Sequence, residues 1–404
     1  MNSKLAGAAR TYADKQTDIH RAVDKYTAWT VDVRRYLHQY PEVSHKETKT
    51  ASYIREQLEN MGLLTQSYTG KDVVAYIEGS KPGRTVALRA DIDALPIQEE
   101  TDLPFASQHP GVMHACGHDG HTAILLGAAR ALLEADAVFS GRIKLIFQHA
   151  EEVVPGGASE LVAAGVLEDV DAIFGLHLWQ NTNLGVVEAC AGPIMAGSDS
   201  FSIKIQGKGG HGSMPHLTVD PIVIASHLVT QMQTVVSRSL DPIYPAVISV
   251  GQIHAGDTYN IIPDTACLEG TVRYFHPDVQ AVIPGLLERL ANGVCASFGA
   301  EASCEYVKGD PSVINDPRMN AIVEQVAHTI MGETKVRPAV PSMAGEDFSY
   351  YLQRVPGAYF FLGIGGSEAQ YGHHHPRFTI DESMLPVGSK LLAGIAIAYL
   401  EQEG

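Results

Sequence analysis

Cysteine is scarce in this chain: five positions, 116, 190, 267, 295 and 304, an odd and scattered set. That excludes a disulfide framework and points to a reducing compartment. Long apolar runs are missing. No stretch of about 18 apolar residues occurs, so no segment is expected to span a membrane. The opening MNSKLAGAARTYADKQTD lacks the apolar centre of a signal peptide, and a cytoplasmic protein is the expectation. Basic charge is short as well: 29 Lys and Arg stand against 46 Asp and Glu, a net charge of -17. Phosphate-rich surfaces select basic patches, so neither a nucleic-acid nor a membrane partner is expected. Aromatics make up only 7% of a composition that is 45% hydrophobic, which suits a soluble globular protein. Internal repeats and low-complexity segments are absent. At 404 residues two domains are expected.

What is present first is alternation of strand and helix. In TASYIREQLENMG the residues Ala51, Ile54, Leu58 and Met61 share one helical face, and Gly62 supplies a stop. Strand-like runs VVAYIEG (73–79) and TVALRAD (85–91) flank the turn signal SKPG. A helix over 122–136, a buried strand IKLIFQ running into HAEE, a short helix GASELVAAGVLE and a strand over 171–178 follow. This pattern predicts a parallel or mixed sheet covered on both faces. From about residue 195 the order becomes β-α-β-β-α-β, the split pattern of a small α+β domain, closing near Lys308. Strand and helix then alternate again to the end. The expectation is an α/β fold: a discontinuous mixed-sheet domain (1–195 and 309–404) with an inserted α+β lid-like domain (196–308).

Four places carry His, Cys or carboxylates at strand ends or loops: HACGHDGH (114–121), HAEE (149–152), HLW from His177, and HHHPRF (373–378). In α/β sheets ligands gather beyond the carboxyl ends of strands, so these segments can meet in one crevice. In an extended stretch the spacing of His114, Cys116 and His118 points all three to one side. Thiolate and imidazole suit zinc and other borderline metals. Cys116 as an activated nucleophile is the rival, but it leaves HAEE, His177 and the HHH run unexplained. In HAEE one carboxylate can ligate while its neighbour acts as general base. Spacing does not choose among His373, His374 and His375. GKGGHGSMPH (207–216) puts His211 in a glycine-rich loop that lacks the order of a phosphate-binding loop. Asn260 in YNIIPD and Arg273 in GTVRYF are candidates for gripping a substrate carboxylate.

Taken together the chain resembles the dinuclear-metal amidohydrolases that include bacterial aminoacylases, hippurate hydrolases and plant auxin–amino-acid conjugate hydrolases, relatives of carboxypeptidase G. The resemblance runs through RRYLHQYPEVSHKETKTA, LRADIDALPIQEE, MHACGHDGH, FQHAEE, GLHLW, GKGGHGSMPH, NIIPD, GTVR, AGEDFSYYL and HHHPRF. It implies Cys116, His118, Glu152, His177 and His374 as metal ligands and Glu151 as general base. Asp93 matches an aspartate that orients a ligand. His211 matches a lid histidine that in relatives reaches across a dimer. Asp91 stands where the broader peptidases carry a metal-binding histidine, which points away from the carboxypeptidase and dipeptidase branches. The function implied is hydrolysis of N-acyl-L-amino acids with two divalent ions, zinc or manganese first, cobalt or nickel also accepted, in a homodimer or homotetramer built through the lid domain. A dipeptidase or carboxypeptidase on the same site is the alternative. A cysteine hydrolase and a non-catalytic binder are the more distant ones.

Overall fold

The computed structural model describes residues 11–135, 139–366 and 371–402. The chain forms two compact units. The first comprises residues 1–194, 314–340 and 350–404; the second, residues 195–313 and 341–349. The opening residues 1–10 and Asp136, the last position of the helix expected over 122–136, lie outside the described residues.

The first unit is built on an eight-stranded mixed sheet. Its spatial order is Thr65–Gln66, Val73–Glu78, Ser140–Gln148, Lys81–Asp91, Ala172–Asn183, Gly357–Gly365, Val187–Ala189, Val336–Pro338. The four central strands run parallel. Their near-continuous apolar runs follow from cover on both faces. Leu88, Leu145, Phe174 and Phe360 are buried with Val33 and Leu37 of helix Tyr12–Gln39, Ile124 and Leu125 of His118–Glu134, Val323 of Pro317–Met331 and Ile395 of Met384–Glu401. By length and composition Met384–Glu401 is the one described helix that could cross a membrane, yet 78% of it is buried in this protein.

Register sets the functional edge. Asp91 pairs with Gln148, so Asp93 and the HAEE segment leave the sheet side by side. Arg89 pairs with Gly175, which brings Asp91 level with His177 two residues further on. The strand carrying His177 does not stop at residue 178. It continues through Asn183, still paired with Gly357–Gly365.

The second unit is a four-stranded antiparallel sheet in the order Ala246–Ala255, Thr265–Tyr274, Gly197–Gln206, Glu301–Asp310. Helices Pro221–Thr234 and Pro277–Ser297 pack on one face. The alternation in Gly197–Gln206 buries Phe201, Ile203 and Ile205 against Ile224, Leu228, Ile283 and Leu287. Asp220 starts the first of these helices by accepting hydrogen bonds from the backbone N–H groups of Ile222 and Val223. A short ribbon pairs Gly210–His211 with Ile261–Ile262.

Candidate metal centre

HACGHDGH is not one extended stretch. Gly117 turns the chain with φ 94°, and the helix begins at His118, four residues before the expected start. That left-handed turn is one glycine adopts without penalty. It also means that His114, Cys116 and His118 do not lie on one extended stretch, since the turn falls between Cys116 and His118. His114 is buried towards His38, their ring centroids 6.5 Å apart. Gly120 lets the helix lie close to the sheet: a Cβ there would stand 2.6 Å from Leu178 Cδ1.

Cys116 Sγ lies 3.5 Å from His177 Nε2. His177 Nδ1 donates to the Leu178 carbonyl at 2.8 Å, which leaves Nε2 as the free lone pair. His118 Nδ1 donates to Asp93, 3.0 Å to its carbonyl and 3.2 Å to Oδ1. His118 Nε2 is buried without a hydrogen-bond partner, 3.9 Å from a carboxylate oxygen of Glu151 and of Glu152. His374 Nε2 stands 3.3 Å from Glu152 Oε1. Of the histidine run only His374 faces this cluster. His373 Nε2 accepts from the Gln180 N–H, and His375 Nδ1 accepts from the Arg377 N–H. Three overlapping trios, Cys116–His118–His177, Cys116–Glu152–His374 and His118–Glu151–Glu152, each hold their donor atoms within 4.8 Å. The donor set of soft sulfur, imidazole and carboxylate suits borderline divalent metals. The sharing of Cys116, His118 and Glu152 between trios is what adjacent ions require.

The surroundings hold these groups in place. Asp93 accepts from Ser44 Oγ at 2.7 Å and from the Glu152 N–H at 3.1 Å, besides His118. Asp91 takes Arg89 Nη1 at 2.6 Å and His121 Nδ1 at 2.7 Å. His121 Nε2 accepts from the Leu178 N–H at 2.9 Å. Both His121 nitrogens are therefore engaged and none is left for a metal. His121 braces the backbone that His177 also uses. Sequence reasoning left His121 unassigned, and its i, i+3 spacing from His118 was the available signal. Asp119 accepts from Arg34 Nε and His38 Nδ1, both at 2.8 Å, joining helix Tyr12–Gln39 to the first turn of His118–Glu134. Ala150 (φ 50°) and His374 (φ 64°) adopt the left-handed region, a strain that needs outside support. Ala150 N–H bonds Glu47 Oε1 at 2.7 Å, and His374 N–H bonds the Ala115 carbonyl at 2.8 Å.

The electrostatics call for cations. Burial alone would lower the pKa of His118, but Asp91, Asp93 and Glu152 outweigh it and push it up to about 10. In the metal-free protein a proton thus sits where a divalent ion would compete. Burial, then Glu152 and Glu151, push the Cys116 thiol well up, while burial drives His177 well down. The metal-free pair is a neutral thiol beside a neutral imidazole, unlike an activated nucleophile.

Glu47 yields a stability prediction. Burial first, then Asp93, raise its pKa from 4.5 to about 7. A raised carboxyl pKa means the folded state holds the proton longer. Its cost is absent below about pH 4.5, grows as pH rises and is complete above about pH 7. Glu47→Gln keeps the acceptor for Ala150 and removes the charge. The metal-free variant should melt above wild type at pH 8, by at most about 3 kcal/mol of stability, and match it near pH 4.5. An equal gain at both pH values in thermal unfolding would contradict this.

The remaining sequence candidates belong to the second unit. His211 is exposed, and its Nδ1 accepts from the Ser213 N–H at 3.1 Å and lies 2.9 Å from the Ser213 hydroxyl. Asn260 is exposed on the same ribbon, its carbonyl accepting from the Gly212 N–H at 2.9 Å. Arg273 is half-buried on strand Thr265–Tyr274 and donates to the Thr271 hydroxyl; burial lowers its pKa.

Known proteins share this arrangement of sequence. The model of peptidase family M20/M25/M40 matches residues 87–398. An N-acyl-L-amino acid amidohydrolase of Geobacillus stearothermophilus is 46% identical over 306 residues, covering 74% of this chain and 83% of that one. The N-acetyl-L-cysteine deacetylase of Bacillus subtilis is 42% identical over 90% of this chain and 86% of its own. Thermostable carboxypeptidase 1 of Saccharolobus solfataricus is 40% identical over 92% and 95%. The crystal structure of a dinuclear metal-binding M20 peptidase from Bacillus subtilis aligns with TM-score 0.84 and 37% identity, covering 94% of this chain and 100% of that one.

Proposed function

The chain belongs to peptidase family M20/M25/M40, and on that footing we propose that it is a metal-dependent amidohydrolase cleaving N-acyl-L-amino acids into a carboxylate and a free amino acid. The observation that carries this is the convergence of Cys116, His118, Glu152, His177 and His374 around Glu151, in a chain similar to N-acyl amino acid hydrolases. Those five side chains would hold two divalent ions, Zn²⁺ or Mn²⁺ first, with Co²⁺ or Ni²⁺ also fitting the donor set. When bound, the ions lower the pKa of water and polarise the scissile carbonyl.

The chain's own residues do the rest. Glu151, with only 11% of its side chain exposed, accepts a proton as water attacks the acyl carbonyl. It then delivers that proton to the leaving nitrogen. Asp93 holds His118 with its Nε2 turned to the cluster, and anchors the Glu152 backbone. We assign His211 to the oxyanion and Asn260 and Arg273 to the substrate carboxylate. Their exposed or half-buried polar groups support those roles. We further assign the second unit as the lid and dimerisation domain of a homodimer or homotetramer. Its exposed Tyr259, Leu217 and Ile261 support this. The five free cysteines support a cytoplasmic location.

The carboxypeptidase relatives favour one second reading, cleavage of peptides by the same cluster. Metal-reconstituted protein offered N-acetyl amino acids and dipeptides side by side should prefer the former by about tenfold or more in kcat/KM. Faster cleavage of dipeptides would move the assignment to a peptidase.

A further inference from the structure

A second group of metal-capable side chains lies outside the cluster assigned to catalysis. His45, His149 and Glu160 each bring one donor atom to within 4.8 Å of the other two. His149 Nε2 lies 2.9 Å from Glu160 Oε2, and the rings of His45 and His149 are 5.8 Å apart. His149 is fully buried, and its Nδ1 has no hydrogen-bond partner. Since Nε2 faces a carboxylate it must carry the proton, so the buried ring is a fixed, half-satisfied anchor. His45 is exposed and Glu160 keeps 39% of its side chain in solvent, so both can adjust around that anchor.

The cluster already attracts positive charge. Lys71 Nζ stands 3.1 Å from His45 Nδ1 and 3.9 Å from Glu160 Oε2. With 39% of its side chain exposed, on a flexible four-carbon stem, Lys71 can swing into solvent. Two histidines and a glutamate are a zinc donor set. Zinc bonds of about 2.0–2.2 Å put tetrahedral donors about 3.4 Å apart, so the trio needs to close by little more than an ångström.

We propose that His45, His149 and Glu160 form a further divalent-cation site, suited to zinc, in which the Lys71 ammonium is the built-in competitor. Zinc bonds the Nε2 lone pair of neutral His149 once the ring proton has moved from Nε2 to Nδ1, and Lys71 turns outward. The bound ion pins both ends of the segment 149–160, which carries Glu151 and Glu152. Ala150, with φ 50°, is the only residue between this site and Glu151.

The test is a zinc titration of metal-loaded protein, comparing wild type, Lys71→Met and the double variant His45→Ala/Glu160→Gln, by calorimetry and by metal content after dialysis. Wild type should bind one zinc more than the double variant, while both hydrolyse N-acetyl amino acids alike. Lys71→Met should bind that extra zinc about tenfold tighter or more, because it removes a like charge a few ångströms away. Equal zinc uptake by wild type and the double variant overturns the site. So does a Lys71→Met affinity no tighter than wild type, an arm that stands even if the double variant fails to fold. Only differences between variants are read, so the result is independent of what the catalytic cluster does.

Discussion

Glu151→Gln should lose at least about a thousandfold in kcat, the upper part of the range for a general acid–base group, while the metal content of the purified protein stays at the wild-type level. Gln preserves the size and shape of the side chain and abolishes its ability to hold a proton. Glu151 is 3.9 Å from His118 Nε2, close enough to serve as a ligand instead. Its neighbour Glu152 differs, lying 3.3 Å from His374 with its backbone tied to Asp93. Measuring kcat and bound metal on one preparation separates the roles. Loss of rate with metal retained marks a base; loss of both marks a ligand. Near-normal turnover would remove Glu151 from the mechanism.

Cys116→Ala carries the second large effect. If the sulfur is a ligand, its removal should weaken metal binding by more than about a hundredfold, since disturbing mere supports of a ligand already costs 10–100-fold. Activity should fall to background with it. The metal-free thiol is pushed well up by burial and by Glu152 and Glu151. Iodoacetamide should therefore alkylate Cys116 in chelator-treated protein more slowly than it alkylates a free cysteine. Fast alkylation at neutral pH, with hydrolysis surviving the chelator, would restore Cys116 as the attacking group.

Much of this site was legible before any coordinates. HACGHDGH, HAEE, GLHLW and HHHPRF stand out by their clustered His, Cys and carboxylates, and the apolar runs between them announce the strands that deliver them. What stayed hidden depends on distance along the chain or on a single torsion. The turn at Gly117 (φ 94°) lies between Cys116 and His118 and starts a helix where no apolar periodicity signals one. His121 acquires its role from Asp91, thirty residues before it, and from the Leu178 N–H, 57 residues after it. Glu47 supports Ala150 across 103 positions. Local pattern reports which face a side chain takes, not which distant partner occupies its second nitrogen. The extension of the His177 strand to Asn183 has the same origin. Trp179 and the polar residues beyond it follow no strand period, and they continue the sheet because Gly357–Gly365 lies alongside.

The most direct test of the central claim follows free amino acid released from N-acetyl amino acids by protein stripped of metal and then titrated with Zn²⁺ or Mn²⁺. Release should be absent from the stripped protein and rise with added ion until about two are bound per chain. Release from protein verified to hold no metal, at the rate of the reconstituted enzyme, would contradict it.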